Sequence, residues 1–150
     1  MIKRGEGGVT LIELVVVMSI IAIMGVCLAP AIGEWLENFR IRQAARDIAS
    51  NLQYAKMKAI SCRMEYRVRF DLATEEYLLE KNNGSWTQDG GVFHVPRDVD
   101  IASATGFGTP PRIEFNPNGT ASSGHITIND DQGKTYKVFV HRTGRIRIEE

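Results

Sequence analysis

GVTLIELVVVMSIIAIMGVCLAPA, residues 8–31, is the stretch that decides the fold. From Val9 to Leu28 it is apolar except at Thr10, Glu13, Ser19 and Gly25. Twenty residues at helical rise span about 30 Å, the thickness of a bilayer's hydrocarbon core. Residues 1–8 before it are polar, rich in glycine and basic at Lys3 and Arg4, with no helix-forming pattern, so they read as a processed tail. Basic residues precede the apolar run and none directly follows it, which predicts a single-pass segment with a cytoplasmic N-terminus and the remaining chain outside.

Three readings compete for this segment. Ala29-Pro30-Ala31 has the small-x-small pattern of a secretory cleavage site, which would release an exported domain after Ala31. A plain membrane anchor is the second. Both leave Glu13 unexplained, because a carboxylate inside a lipid-exposed helix costs about 2.5–3.5 kcal/mol at mid-membrane and is normally kept for a partner.

The third reading gives that acid a role. Gly8-Val9-Thr10-Leu11-Ile12-Glu13-Leu14 resembles the prepilin motif of type IV pilins and type II secretion pseudopilins. The resemblance implies cleavage by a prepilin peptidase after Gly8 and methylation of the new N-terminus at Val9. It also implies that Glu13 pairs with a neighbouring subunit's terminal amine during assembly, and that Pro30 matches a proline of the family's helix. Bottom-up chemistry agrees, since an amine and a carboxylate in low dielectric are each otherwise an unpaired charge. Val9 departs from the family's usual phenylalanine.

Pro30 should kink or locally unwind the helix, after which it resumes. Ile41, Ala45, Ile48, Leu52, Ala55, Ala59 and Cys62 recur at intervals of four and three, forming one apolar stripe. Glu34 and Glu37 near its start, and Lys56, Lys58 and Arg63 near its end, complement the helix dipole. Beyond Arg63 the period changes to two. Tyr66, Val68 and Phe70 alternate with Arg67, Arg69 and Asp71, and Tyr77–Glu80 returns as a hairpin. Further strands are predicted at 92–95, 99–102, 113–115, 126–128, 136–140 and 145–148, separated by turns such as Asn82-Asn83-Gly84 and Asp130-Asp131-Gln132-Gly133. Ser103–Pro111 reads as a mobile loop.

The expected fold class is α+β: a long N-terminal helix packed by its second half on an antiparallel β-sheet domain. Its divisions are a leader, 1–8; an apolar assembly helix, 9–32; an amphipathic continuation, 33–64; and a β-rich domain, 65–150. This order of parts resembles the GspH/FimT family, with Ala44–Ile60 similar to its helix end. Phe115-Asn116-Pro117-Asn118-Gly119 and Thr143-Gly144-Arg145-Ile146-Arg147-Ile148 are similar to its two late motifs. The resemblance implies a minor subunit of a type II secretion pseudopilus or type IV pilus. Its partners would be other pilin or pseudopilin subunits, prepilin peptidase, inner-membrane assembly machinery, and membrane lipid before assembly. The globular domain would be periplasmic, and extracytoplasmic within an assembled filament.

Lysine plus arginine equals aspartate plus glutamate at 18 each, so no whole-molecule field favours a polyanion. Cys27 and Cys62 would lie about 52 Å apart along one helix and cannot bridge. His94, His125 and His141 stand singly, without ligand spacing, so no metal, cofactor or enzyme chemistry is predicted. Asn129–Gly133 fits a hairpin turn better than a calcium loop, and the Asn-Gly turns at Asn83 and Asn118 account for their formal glycosylation patterns. One alternative remains. Arg145 and Arg147 share a strand face about 7 Å apart, with Lys137, His141 and Arg142 near in sequence, and in FimT-type pilins a Gly-Arg-x-Arg motif is associated with DNA capture. Glu149, Glu150 and the terminal carboxylate oppose it at short range.

Overall fold

The computed structural model describes residues 10–105 and 108–150, except for the side chains of 27–38. One helix, α1 (Leu11–Cys62), precedes eight strands: β1 (Tyr66–Asp71), β2 (Glu76–Asn82), β3 (Trp86–His94), β4 (Val99–Thr105), β5 (Arg112–Phe115), β6 (Gly124–Asp130), β7 (Thr135–Val140) and β8 (Ile146–Glu149). By internal contacts the chain divides between Leu36 and Glu37. α1 is assigned as helix through Pro30, so that residue does not unwind it. The expected leader and the processing pair Gly8 and Val9 lie outside the described residues.

Thr10 caps the start of α1: its hydroxyl oxygen accepts the Glu13 N–H at 3.3 Å. Thr10-Leu11-Ile12-Glu13 has the spacing of a capping box. At the other end, Arg63 takes the left-handed conformation at φ 54°, which turns the chain off the helix axis. The turn-off corrects the expected stripe. Ile41, Ala45, Ile48, Leu52, Ala55 and Ala59 are all buried, but Cys62, at the turn-off, is exposed.

Residues 37–150 contain the hydrophobic core. The strands form two four-stranded antiparallel sheets, with orders β3-β2-β1-β5 and β4-β6-β7-β8, where the alternation alone predicts only antiparallel pairing. In the first, Val68 faces Leu79 on β2 and Ile113 on β5. In the second, Ile126 faces Val138, which in turn faces Ile148. Inward residues of both sheets, including Tyr66, Phe70, Phe115, Ile128 and Val140, join the alanine-rich face of α1 in one buried cluster. Small helix residues allow close approach there.

A short crossing segment ties the sheets together. Ser122 N–H donates to the Glu114 carbonyl at 2.9 Å, and Ala121 N–H donates to the Arg142 carbonyl at 3.0 Å. The two late motifs therefore meet. Gly119 and Gly144 both have positive φ (82° and 70°), and both backbones pack beside Lys56 of α1, whose ammonium donates to the Gly144 carbonyl at 2.9 Å.

On the outer face of the first sheet, Glu80 is buried between Arg67 and Arg69, with Arg69 Nε at 3.3 Å. The Arg67 guanidinium also lies 4.1 Å from the centre of the Trp86 ring. Removing one partner of a buried ion pair strands the others, at a cost of about 3–5 kcal/mol when fully desolvated. This network is partly wetted, so Glu80→Ala should cost about 2 kcal/mol. A urea unfolding midpoint unchanged by Glu80→Ala would contradict that role.

Candidate functional site

The N-terminal part of α1 is apolar on every side, and its large apolar side chains from Leu11 to Val26 are exposed among the described residues. Leu11 is 81% exposed and Val26 77%, and even the least exposed large apolar residue between them, Val17, is at 48%. A helix that is hydrophobic all round requires lipid or another protein around it. Its polar residues are arranged for such surroundings. The Ser19 hydroxyl donates to the Val15 carbonyl at 2.8 Å, satisfying itself within the helix. Glu13 lies in the first turn, where the helix dipole favours a carboxylate.

Among the described residues no helical stretch is long and apolar enough to cross a membrane. The side chains described, Leu11 to Val26, cover about 24 Å at helical rise against about 30 Å of hydrocarbon. Of the residues expected to act in this segment, Glu13 stands in the first turn of the helix, where its backbone N–H donates to the Thr10 hydroxyl. The side chain of Pro30 is outside the described set. Thr10's capping role went unread, although the Thr-x-x-Glu spacing signals it.

Arg145 and Arg147 are both exposed, at the turn before β8 and on it. The basic residues near them do not gather into one cluster. Arg147 Nε lies 3.2 Å from Glu149, Lys137 is paired across strands with Glu149, and Arg147 stands opposite Phe139. Arg142 instead lines a cleft with Asn116, Asn118 and Thr120. His125 bonds Thr105 at 3.1 Å and packs on Phe139 at 5.2 Å. Among the described residues no group of three or more His, Cys, Asp or Glu is placed to hold a metal. Asp130 accepts the backbone N–H groups of Gln132 (3.1 Å) and Lys134 (2.7 Å), so its carboxylate serves the hairpin turn. Lys81, 2.9 Å away, holds the Asp89 carboxyl below its usual range.

Comparison with known proteins now assigns the architecture. The family model "Type II transport protein GspH" matches residues 44–144. The chain belongs to the GspH family. A second model, the prokaryotic N-terminal methylation motif, matches residues 3–26 of this GspH-family chain. Type II secretion system protein H of Xanthomonas campestris pv. campestris is 25% identical over 97% of the chain and 85% of that protein. In fold, the chain is similar to the minor pseudopilin EpsH of the Vibrio cholerae type 2 secretion system. That match has a TM-score of 0.63 and 13% identity, covering 73% of this chain and 96% of that one. It is also similar to the type IV minor pilin FimU of Pseudomonas aeruginosa, with a TM-score of 0.62 and 20% identity over 77% and 92%.

The expected α+β fold and the GspH/FimT resemblance are both borne out. The GspH-family chain is a minor pseudopilin of the type II secretion and type IV pilus group, a membrane-anchored, pseudopilus-associated protein. The family's members are structural components that assemble with other pilin-type subunits.

Proposed function

We propose that this chain is a minor subunit of a type II secretion pseudopilus, cut by prepilin peptidase after Gly8, methylated at Val9, and built into the filament through α1. One observation supports the reading: a helix apolar on every side from Leu11 to Val26, with its large side chains exposed among the described residues and a single acid, Glu13, in its first turn. Before assembly, lipid of the inner membrane covers this surface in a single pass, with the sheet domain on the periplasmic side. On assembly, neighbouring helices replace the lipid, and Glu13 meets the methylated amine of the subunit beside it. Pro30 gives the helix a place to adjust as surroundings change. The protein H relative, similar over nearly the whole chain, supports the secretion pseudopilus over the pilus.

DNA capture by Arg145 and Arg147 is not adopted, because Arg147 is engaged by Glu149 and Arg142 faces a different cleft. Intact mass and N-terminal sequencing of the membrane-extracted protein test the main reading. The expected result is a mature chain beginning at methylated Val9; a chain beginning at Ile32 or Gly33 would refute it in favour of an exported domain.

A further inference from the structure

The two sheets have their edges at β3 and β5 in the first and at β4 and β8 in the second. An edge strand offers unpaired backbone groups, which proteins guard with bulges or with cover. The β2–β3 and β4–β6 pairings each carry a register shift, between Leu78 and Glu80 and between Ile101 and Ser103. β5 is covered by Ala121 and Ser122. β8 pairs with β7 without a register shift and has no strand on its other side, and its charged pair, Arg147 and Glu149, stands exposed off the edge itself. The His141 N–H donates to the Arg145 carbonyl at 2.9 Å. Antiparallel alternation then gives the next ladder bonds to the pairs Phe139–Arg147 and Lys137–Glu149, which leaves the N–H and C=O groups of Ile146 and Ile148 directed away from β7.

Beside this open edge lies a groove of about 360 Å³ between β8 and α1, lined by Arg42, Arg46, Tyr136, Ile148 and Glu150. Tyr136 is 4% exposed, and its hydroxyl is buried with no hydrogen-bond partner among the described residues. Arg42 and Glu150 flank that hydroxyl, neither of them in hydrogen-bond geometry. Buried polar groups are nearly always paired, so an orphan hydroxyl on the wall of a groove marks a place for another molecule's polar atom. Arg42 and Arg46 are exposed, and neither is in an ion pair among the described residues. Glu150, the acid that lines the groove, is held by Lys134 at 2.7 Å. With Lys134 counted, three cations stand against two carboxylates, the Glu150 side chain and the chain terminus.

We infer that this groove receives an extended segment of a different pilin-type subunit, laid along the open edge of β8 with an Asp or Glu side chain turned inward to Arg42 and Arg46. The free backbone groups of Ile146 and Ile148 select an extended chain, because a helix has already used its own. The unpaired guanidinium groups select an acid, and the Tyr136 hydroxyl gains an acceptor. Every second side chain of the added strand faces the groove beside Ile148, so the backbone supplies affinity and the groove supplies selection. A minor subunit has neighbours of other sequence, and this contact needs no second copy of the chain. The kind of partner rests on the assembly reading, whereas the edge and the groove belong to this chain alone.

The test is incorporation of the full-length chain into sheared filaments. Ile148→Pro removes one edge N–H but no bond to β7, and Ile148→Ala is its control for lost side-chain packing. The proline variant should lower incorporation at least about tenfold and the alanine variant less than about threefold, with Arg42→Glu plus Arg46→Glu matching the proline variant. The amides of Ile146 and Ile148 should exchange at least about tenfold more slowly in filaments than in detergent. Carbodiimide treatment of filaments carrying Arg46→Lys should join the new amine to an Asp or Glu in an extended segment of another pilin-type subunit, located by mass. Equal losses for the two Ile148 variants, unchanged amide exchange, or a link only to Glu150 or to a second copy of this chain would each overturn the contact. A native chain absent from filaments would sink the assembly reading and the partner with it; native incorporation with equal Ile148 variants overturns the groove contact alone.

Discussion

Gly144→Ala should be among the most damaging single changes in the sheet domain. An added Cβ would lie 2.2 Å from the Gly119 carbonyl oxygen and about 3 Å from the end of the Lys56 side chain, at a backbone φ of +70°. The lysine can move, but the Gly119 carbonyl is backbone within the crossing segment. A left-handed non-glycine residue costs about 1–2 kcal/mol, and overpacking adds about 1–3 kcal/mol. A loss of about 3–4 kcal/mol follows, roughly 10 °C or more in thermal midpoint. Gly133→Ala is the matched comparison, since Gly133 has φ +80° with open space around it. It should lose only about 1 kcal/mol. Equal losses for the two variants, measured by thermal unfolding of the full chain, would show that the meeting of the two loops contributes nothing.

Glu13→Ala should have the largest effect on assembly. In lipid the change is favourable by up to about 2.5–3.5 kcal/mol, so membrane insertion should be unimpaired or improved. In the filament it strands a neighbour's amine in low dielectric, at about 3–5 kcal/mol, equivalent to more than about a hundredfold loss of incorporation. The Thr10 cap remains, because its hydroxyl accepts from the backbone N–H of residue 13 and not from the side chain. Loss of the carboxylate is thereby separated from loss of the helix start. The measurement is the ratio of the subunit in sheared filaments to that in membranes, with cleavage checked by mass. Incorporation at the native level would end the pairing assignment.

Most elements were legible because their apolar periods are strong. Ile41 to Ala59 repeats at helical spacing, and β1, β5 and β7 alternate cleanly between buried and half-exposed residues. The first half of β3, Trp86-Thr87-Gln88-Asp89-Gly90, has no such alternation because it lies on an edge strand where only Trp86 and Asp89 are partly covered. Ser103–Thr105, expected as loop, continues β4 past a bulge. The division into two sheets depends on pairing partners far apart in the chain, as with Arg67 and Glu114. At the site, Glu13 was readable because a charge in an apolar run is costly. The Gly119–Gly144 contact was not, although both glycines lie in motifs read from the sequence, because local pattern says nothing about which distant turn a given turn touches.

The crossing segment at Ala121 and Ser122 has a mechanical consequence for a subunit that is pulled by its helix. Lys56 is bonded to Gly144, the Arg142 carbonyl is bonded to Ala121, and Ser122 is bonded to β5. The C-terminal part of α1 is therefore tied to both sheets at this junction as well as through the buried cluster that it shares with them. Force on the helix is then shared between that junction and the buried cluster, so no single hydrogen bond carries it alone.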